Sequence, residues 1–177
     1  MSHPPTVLET PRLILRPMRE DDTDALLSIF ADPRVMAAFG VAPFARPQME
    51  RWVRRNLEHQ VEHGYGLFSV ILKESGLLVG DCGLEVMAVA GATAAELGYD
   101  FRSDHWGRGL ATEAAIAVRD YAFGTLGLPC LVSLIRQGNE PSRRVAERAG
   151  LHLAETILRG DQPYWVYALD RDDRPVV

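Results

Sequence analysis

The stretch "YDFRSDHWGRGLATEA", Tyr99 to Ala114, decides the fold of this 177-residue chain. It begins at the end of a strand-like run and ends in an alanine-rich run that favours a helix. Between the two runs, Gly107 and Gly109 flank Arg108 and allow a tight turn with exposed backbone N–H groups. A helix N-terminus favours anions through its unpaired donors and its dipole, and Arg108 and the Thr112 hydroxyl could add contacts. On glycine spacing alone, the stretch predicts either a phosphate-binding loop or an ordinary glycine turn before a helix.

The remainder of the chain alternates strand-like and helix-like segments in the order β, α, α, β, β, β, α, β, α, β, β. Helices are predicted at 21–33, 46–64, 110–126 and 140–150, and strands at 10–18, 66–73, 77–86, 94–101, 130–136, 151–158 and 164–170. Helices interleaved with hairpins and crossovers indicate an α+β fold of α/β/α layers. Its centre is one mixed sheet covered on both faces.

The overall composition limits the classes of function. The apolar fraction of 47% predicts a packed globule, and the length of 177 residues suits one domain, 1–177. A net charge of −5 argues against general binding to nucleic acid or to an anionic membrane surface. No apolar run could span a bilayer, and Met1–Pro5 does not resemble a secretion signal. Cys82 and Cys130 have no CxxC spacing, so we expect reduced thiols and a cytoplasmic protein.

Three motifs, in this order along the chain, resemble the GNAT acetyltransferase superfamily. The stretch 99–114 is similar to its acetyl-CoA pyrophosphate loop, with Trp106 where the superfamily pattern has Gln or Arg. "ETPRLILRPMREDD" (9–22) and "GNEPSRRVAERAGL" (138–151) resemble the opening strand and the second CoA segment of one branch. That branch contains the ribosomal-protein N-terminal alanine acetyltransferases. The resemblance implies a single GNAT domain whose mostly antiparallel sheet splays between the fourth and fifth predicted strands.

The resemblance also implies where acetyl-CoA binds, with no metal required. The pyrophosphate is expected on the 106–112 backbone, and the pantetheine arm beside the end of the fourth predicted strand, where Gly98 suits a close backbone approach. A backbone N–H in 99–101 is the expected oxyanion donor. The predicted cofactor contacts are Tyr99, Asp100, Phe101, Trp106, Gly107, Arg108, Gly109, Leu110, Ala111, Thr112, Asn139, Ser142 and Arg143.

The resemblance implies that a primary amine attacks acetyl-CoA. Glu96, in the fourth predicted strand, is the candidate base, with a solvated or ion-paired structural carboxylate as the other interpretation. Glu85, in the third predicted strand, is the alternative base. Ser142 is expected near the CoA sulfur as a general acid, although Asn139 and Ser142 also suit the start of a helix. Arg143 is either a phosphate contact or a solvated arginine.

Several alternatives stay open at this level. The resemblance implies that the acceptor is a protein N-terminal amine, and an α-amine with a pKa of about 8 needs less help from a base than lysine at about 10.4. A small amine (an amino acid, polyamine or aminoglycoside), a catalytically weak acyl-CoA-binding module and a nucleotide-binding protein are the other hypotheses. The sequence "HQVEH" (59–63) matches a zinc-protease motif, but a polar helix face is the simpler interpretation. A homodimer is plausible.

Overall fold

The computed structural model describes residues 7–89 and 91–173, which form eight strands and five α-helices. The strands are β1 Leu8–Glu9, β2 Leu13–Pro17, β3 Leu67–Leu72, β4 Leu78–Val89, β5 Ala92–Phe101, β6 Cys130–Arg136, β7 His152–Arg159 and β8 Gln162–Asp170. The helices are α1 Thr23–Phe30, α2 Pro33–Met36, α3 Arg46–His63, α4 Leu110–Gly124 and α5 Glu140–Arg148. Met1–Pro5, from which the sequence predicts no secretion signal, lies outside the described residues.

All eight strands form one sheet in the order β1-β2-β3-β4-β5-β6-β8-β7. Only β5 and β6 pair in parallel, and every other neighbouring pair in this sheet is antiparallel. The α+β class and the mixed, mostly antiparallel sheet are therefore confirmed. No helix within 7–89 and 91–173 is long and apolar enough to cross a membrane.

Helices cover both faces of the sheet because side chains alternate between the faces along each strand. On one face, Leu84 and Leu97 pack with Leu110 and Val118 of α4 in a large apolar core. On the other face, Leu67 packs with residues of α1, α2 and α3 in a second core. Each fully buried aliphatic side chain contributes on the order of 1.5–3 kcal/mol, so the two cores hold the helices against the sheet.

The sheet opens between β5 and β6. The two strands pair only at Ala95 with Leu131 and at Glu96 with Val132. Beyond these positions, the Ser133 hydroxyl donates to the Leu97 carbonyl at 2.9 Å. The Leu134 N–H donates to Glu96 Oε1 at 3.2 Å, so side chains replace the backbone ladder there. The predicted splay between the fourth and fifth predicted strands is thus confirmed.

Some local expectations were wrong. The short β1 and α2 were not predicted, and α4 ends at Gly124 instead of near Leu126. The acidic residues at 21 and 22 predict a cap at the start of the first helix, but Asp22 does not cap α1 with its side chain. Its buried carboxylate accepts hydrogen bonds from Arg16, at 2.6 and 2.8 Å, and from Ser69 at 2.7 Å. A buried carboxylate without partners costs more free energy than a helix end without a side-chain cap.

Candidate active site

A groove of about 340 Å³ lies where the sheet opens, between the N-termini of α4 and α5. Its walls come from the end of β5, from the loop before α4 and from the start of α5. The predicted cofactor contacts that line it are Tyr99, Asp100, Phe101, Trp106, Gly107, Gly109, Leu110, Ala111, Thr112, Asn139 and Ser142. Two stretches that are distant in sequence, 99–112 and 139–148, therefore meet in one concave site.

The loop before α4 has the geometry that its glycines predict. Gly107 and Gly109 have φ of 75° and 77°, in the left-handed region that other residues adopt only at a cost. Gly109 is the N-cap residue and makes no side-chain cap, so the first-turn N–H groups of α4 face the groove without a local acceptor. The Trp106 indole N–H donates to the Phe101 carbonyl at 2.9 Å and holds the loop against β5.

Glu113, in the first turn of α4, anchors the loop to the start of the chain. Its carboxylate accepts from the Thr10 hydroxyl at 2.6 Å, from the Arg12 backbone N–H at 2.9 Å and from Arg12 Nε at 2.6 Å. Arg12 Nη1 also donates to the Arg108 carbonyl at 2.8 Å. These contacts hold the segment "TPR" (10–12) against the segment "ATEA" (111–114) in the folded chain. Glu113 was not among the predicted site residues.

The opposite wall is the start of α5. Asn139 caps this helix, because its Oδ1 accepts from the Ser142 N–H at 3.3 Å. The Tyr99 hydroxyl donates to the Ser142 carbonyl at 2.7 Å and ties β5 to α5 across the opening. The capping interpretation is therefore correct, and both residues also line the groove.

Two of the predicted cofactor contacts do not line the groove. The Arg108 guanidinium pairs with Glu74 at 2.9 Å, and Arg143 pairs with Glu140 at 2.6 Å and Glu147 at 2.8 Å. Arg144 and Arg148 line the groove instead, because helical spacing turns them toward it. Nothing in the sequence distinguished these arginines from Arg143 before the orientation of α5 was known.

Glu96 lies at the point where the β5–β6 ladder stops. The pKa of its carboxyl group is raised to about 7. Burial is the largest cause of this shift, and repulsion by the nearby Glu85 adds to it, whereas the hydrogen bond from the Leu134 N–H opposes it. Glu96 forms no ion pair in the described part of the chain, and its Oε1 accepts the Leu134 N–H, so a structural contact and a role as base are both open to it. A carboxyl group with a pKa near neutrality can accept a proton at physiological pH.

Glu96 belongs to a larger set of carboxylates on the same face of β4 and β5, which we call the acidic row. Glu85 pairs across the strands with Glu96, and Asp81 pairs with Asp100. Burial is the largest cause that raises the pKa of both Asp81 and Asp100, and the other carboxylates of the acidic row raise it further. Asp81 was not predicted as a site residue, because the register of β4 against β5 had to be known to place it beside Asp100.

The candidate zinc motif forms part of the packing between α3 and β4. His59 Nε2 accepts from the Val86 N–H at 2.9 Å, which leaves the Nδ1 hydrogen to bond the Tyr65 carbonyl at 3.1 Å. Both ring nitrogens are thus occupied by backbone groups. Among the described residues, no cluster of three metal-ligating side chains is found.

Chemically, the site combines a glycine turn at a helix N-terminus, an open strand edge, and the acidic row, in which the pKa of Asp81, Glu96 and Asp100 is raised. The turn can hold a phosphate, and the open edge of β5 offers unpaired backbone groups to an extended ligand. Glu96 lies beside that edge and can accept a proton from a ligand bound there. The arrangement fits transfer of a group from a phosphate-bearing donor to an acceptor that loses a proton.

Comparisons with known proteins agree with this arrangement. A family model described as an acetyltransferase (GNAT) domain matches residues 12–152. The chain is 36% identical over 163 residues to the uncharacterized protein YkkB of Bacillus subtilis (strain 168), which spans 92% of this chain and 94% of that protein. It is 34% identical to the acetyltransferase from Agrobacterium tumefaciens str. C58, with a TM-score of 0.81 and 96% of each chain covered.

A third similarity concerns the fold alone. The ribosomal-protein-S5-alanine acetyltransferase from Vibrio fischeri superposes with a TM-score of 0.76 over 97% of this chain and 100% of that one. The sequence identity is 16%. The branch that the sequence resembles is therefore present among the structural neighbours.

Proposed function

Because this chain belongs to the acetyltransferase (GNAT) domain family, we propose that it is an N-acetyltransferase that moves the acetyl group of acetyl-CoA directly to a primary amine. Donor and acceptor bind together, and no metal takes part. The observation that carries the proposal is the opened β5–β6 pair, with a glycine turn on one side and Glu96 at its inner end. The site thus has separate places for a phosphate, an extended arm and a proton acceptor.

The groove residues fit acetyl-CoA. The first-turn N–H groups of α4 would bind the pyrophosphate, and Arg144 and Arg148 add positive charge on the other wall. The pantetheine arm would lie along the unpaired edge of β5 beyond Glu96, next to Asn139. In this binding mode Trp106 and Phe101 line the arm, and their mutual hydrogen bond fixes the loop.

Acetyl-CoA supplies the activated acetyl group: the C–N bond to the amine forms and the C–S bond to the thiol breaks. Glu96 removes the proton that the attacking amine must lose. A backbone N–H in 99–101 donates to the acetyl oxygen as negative charge develops on it. The Ser142 hydroxyl, at the groove wall, donates a proton to the departing sulfur and takes a proton from solvent, so that CoA leaves as the thiol and Ser142 ends neutral. The thiol, with a reference pKa of about 8.5, needs only modest help to leave.

Two classes of acceptor fit this reaction. The resemblance to the ribosomal-protein acetyltransferases favours the N-terminal amine of a protein, and such an α-amine is partly neutral near pH 7. A small cationic amine is the second candidate, and the acidic row of β4 and β5 specifically favours it. Both classes present a primary amine to Glu96.

The proposal extends to the molecule as a whole. We expect residues 1–177 to form one acetyltransferase domain, since β8 and α5 complete the sheet and the groove. The two free cysteines are typical of a reducing compartment, so we expect the reaction in the cytoplasm. β7 lies at the edge of the sheet, where pairing with a second copy would give a homodimer.

The decisive experiment is thermal unfolding with saturating acetyl-CoA, CoA, ATP or NAD. A ligand that binds only the folded state stabilises it by about 2.7 kcal/mol at a hundredfold excess over its Kd. We expect a higher midpoint with acetyl-CoA and CoA and no change with ATP or NAD. Thiol release with primary amines then tests the transfer. A protein whose midpoint neither CoA species raises would contradict the proposal.

A further inference from the structure

Asp81 is a buried carboxylate that has no hydrogen-bond partner within the described ranges of the chain. The residue is 1% exposed, and neither of its carboxylate oxygens has a hydrogen-bond partner among the described residues. A buried, unpaired carboxylate is costly, because it loses its hydration and gains nothing in return. Asp22, on the same side of the sheet, shows the usual solution, since Arg16 and Ser69 satisfy it. The missing partner of Asp81 is therefore a feature that needs an explanation.

The surroundings of Asp81 make its environment more negative. It lies directly across from Asp100, with Cβ atoms that such cross-strand pairs hold about 5 Å apart. The second pair of the acidic row, Glu85 and Glu96, lies four positions along the strands, about 13 Å away at about 3.3 Å per residue. Like charges in these positions repel, which raises the free energy of the fold unless the carboxyl groups take up protons, as their raised pKa allows, or a cation enters.

The backbone between the two carboxylate pairs leaves room on the β5 side. Gly83 and Gly98 occupy the intermediate cross-strand position on the same face. A Cβ at Gly98 would meet nothing within 4 Å, whereas a Cβ at Gly83 would collide with the backbone of Gly66 and Leu67. Asp100 lines the groove and lies directly across from Asp81. The acidic row thus forms two negative ends, joined by a backbone floor that is open at Gly98.

Among the described residues, the acidic row has one ion pair with a cation of the chain, and it is at Glu85. Arg55 of α3 approaches Glu85 at 3.5 Å, and its own side chain is 65% exposed. Arg159 acts on Glu96 only through a weak electrostatic effect. In ranges 7–89 and 91–173, no ion pair is found for Asp81, Asp100 or Glu96.

Given the proposed acetyl transfer, on which this inference rests, we propose that the acidic row is the acceptor site and takes a small amine carrying at least two ammonium groups. One amine lies beside Glu96, where it loses its proton and is acetylated. The second ammonium lies at Asp81 and Asp100 and supplies the cation that this pair lacks. Methylene groups between the two cross the open floor at Gly98, where no side chain obstructs them.

The N-terminus of a protein satisfies this site less well. It brings one ammonium group, so one carboxylate pair stays unneutralised. Its first peptide groups would also lie on the glycine floor and would need hydrogen-bond partners of their own. A diamine brings a cation for each pair and only apolar atoms between them.

The test compares three acceptors at equal concentration in a thiol-release assay with acetyl-CoA. These are 1,4-diaminobutane, the monoamine butylamine, and a tetrapeptide with N-terminal alanine. We expect kcat/KM for the diamine to exceed that for butylamine by at least about tenfold, which corresponds to about 1.4 kcal/mol. Asp81→Asn should bring this ratio toward one. Glu85→Gln removes another carboxylate of the acidic row and should also lower the ratio. Its position is partly exposed, so this variant is less prone to misfold.

A matched control is Asp161→Asn, in the exposed turn between β7 and β8, which should leave the ratio unchanged. Equal kcat/KM for diamine and butylamine, or a preference for the peptide, would overturn the inference and leave acetyl transfer standing. Calorimetric binding of the diamine without thiol release from any acceptor would instead overturn the transfer and retain the cation site. Absence of diamine binding to the CoA complex would overturn the inference directly.

Discussion

Glu96 has two roles at the position where the sheet opens. Its Oε1 accepts the Leu134 N–H in place of a ladder partner, and its burial raises the pKa of the carboxyl to about 7. The structural contact and the proposed chemistry therefore act on the same side chain. The hydrogen bond orients the carboxylate, and the raised pKa makes it a stronger base than an exposed glutamate.

Glu96→Gln should separate these roles. The glutamine oxygen can still accept the Leu134 N–H, so we expect the thermal shift with acetyl-CoA to persist. Turnover should fall roughly a hundredfold or more, the usual effect of losing a positioned base. In the unmodified protein, kcat/KM should rise with pH through about 7 and level off above it, because only the deprotonated carboxylate accepts a proton.

The measurement is a pH profile of thiol release for both proteins and for Glu155→Gln, an exposed glutamate on β7 that serves as the control. The inflection should disappear in Glu96→Gln and remain in the control. A Glu96→Gln enzyme with unchanged turnover across this range would exclude Glu96 as the base, and Glu85 or a water would take its place.

At the scale of elements, the site depends on where strands and helices end. The glycine turn follows the end of β5. Helix α4 then begins without a side-chain cap on its first N–H groups, and the N-cap residue of α5 lines the same groove. The turn has to expose donors without a side chain in the way. The positive φ of Gly107 and Gly109 is the local condition for this geometry.

Gly107→Ala should weaken CoA binding. Its φ of 75° strains an alanine by about 1–2 kcal/mol, and no other atom lies close enough to clash. Relaxation of that strain moves the N–H groups that would contact phosphate. Gly160→Ala, at φ 60° in the β7–β8 turn and equally free of neighbours, is the matched control.

Urea denaturation should show a similar loss of unfolding free energy for both alanine variants. Titration with CoA should show reduced affinity only for Gly107→Ala. Equal CoA affinity in the two variants would mean that the turn does not bind the cofactor and that its glycines are needed only for folding.

For the whole molecule, the sheet consists of two parts joined at one short contact. Strands β1 to β5 and strands β6 to β8 share only two residue pairs in the β5–β6 ladder. The Ser133 and Tyr99 hydroxyls add hydrogen bonds across the opening, to the Leu97 and Ser142 carbonyls. A ligand in the opening would contact both parts at once and hold them together.

Hydrogen exchange followed by mass spectrometry tests this. With CoA bound, we expect slower amide exchange in 97–101 and 134–136, because the ligand covers both open strand edges. The β7–β8 turn at 159–162 serves as the internal control and should exchange at its original rate. Uniform slowing over the whole chain would indicate general stabilisation without a ligand between the two parts.

Local patterns predicted most of the elements and one side of the site. Gly64 ends α3 in the left-handed conformation, as a glycine after a helical pattern predicts. The glycines at 107 and 109 predicted the turn, and Glu96 was identified by resemblance. Residues whose importance depends on contacts across the sheet were missed, above all Asp81 and Glu113.

The sequence by itself determined the order of the main helices and strands, the mixed sheet and the glycine turn before α4, because periodicity and backbone preference act within a few residues. The tertiary structure alone decided that Glu113 reaches Thr10 and Arg12, that Arg144 rather than Arg143 lines the groove, and that four carboxylates share one face. Those relations depend on strand register and helix orientation. They arise only when segments far apart in the chain pack together.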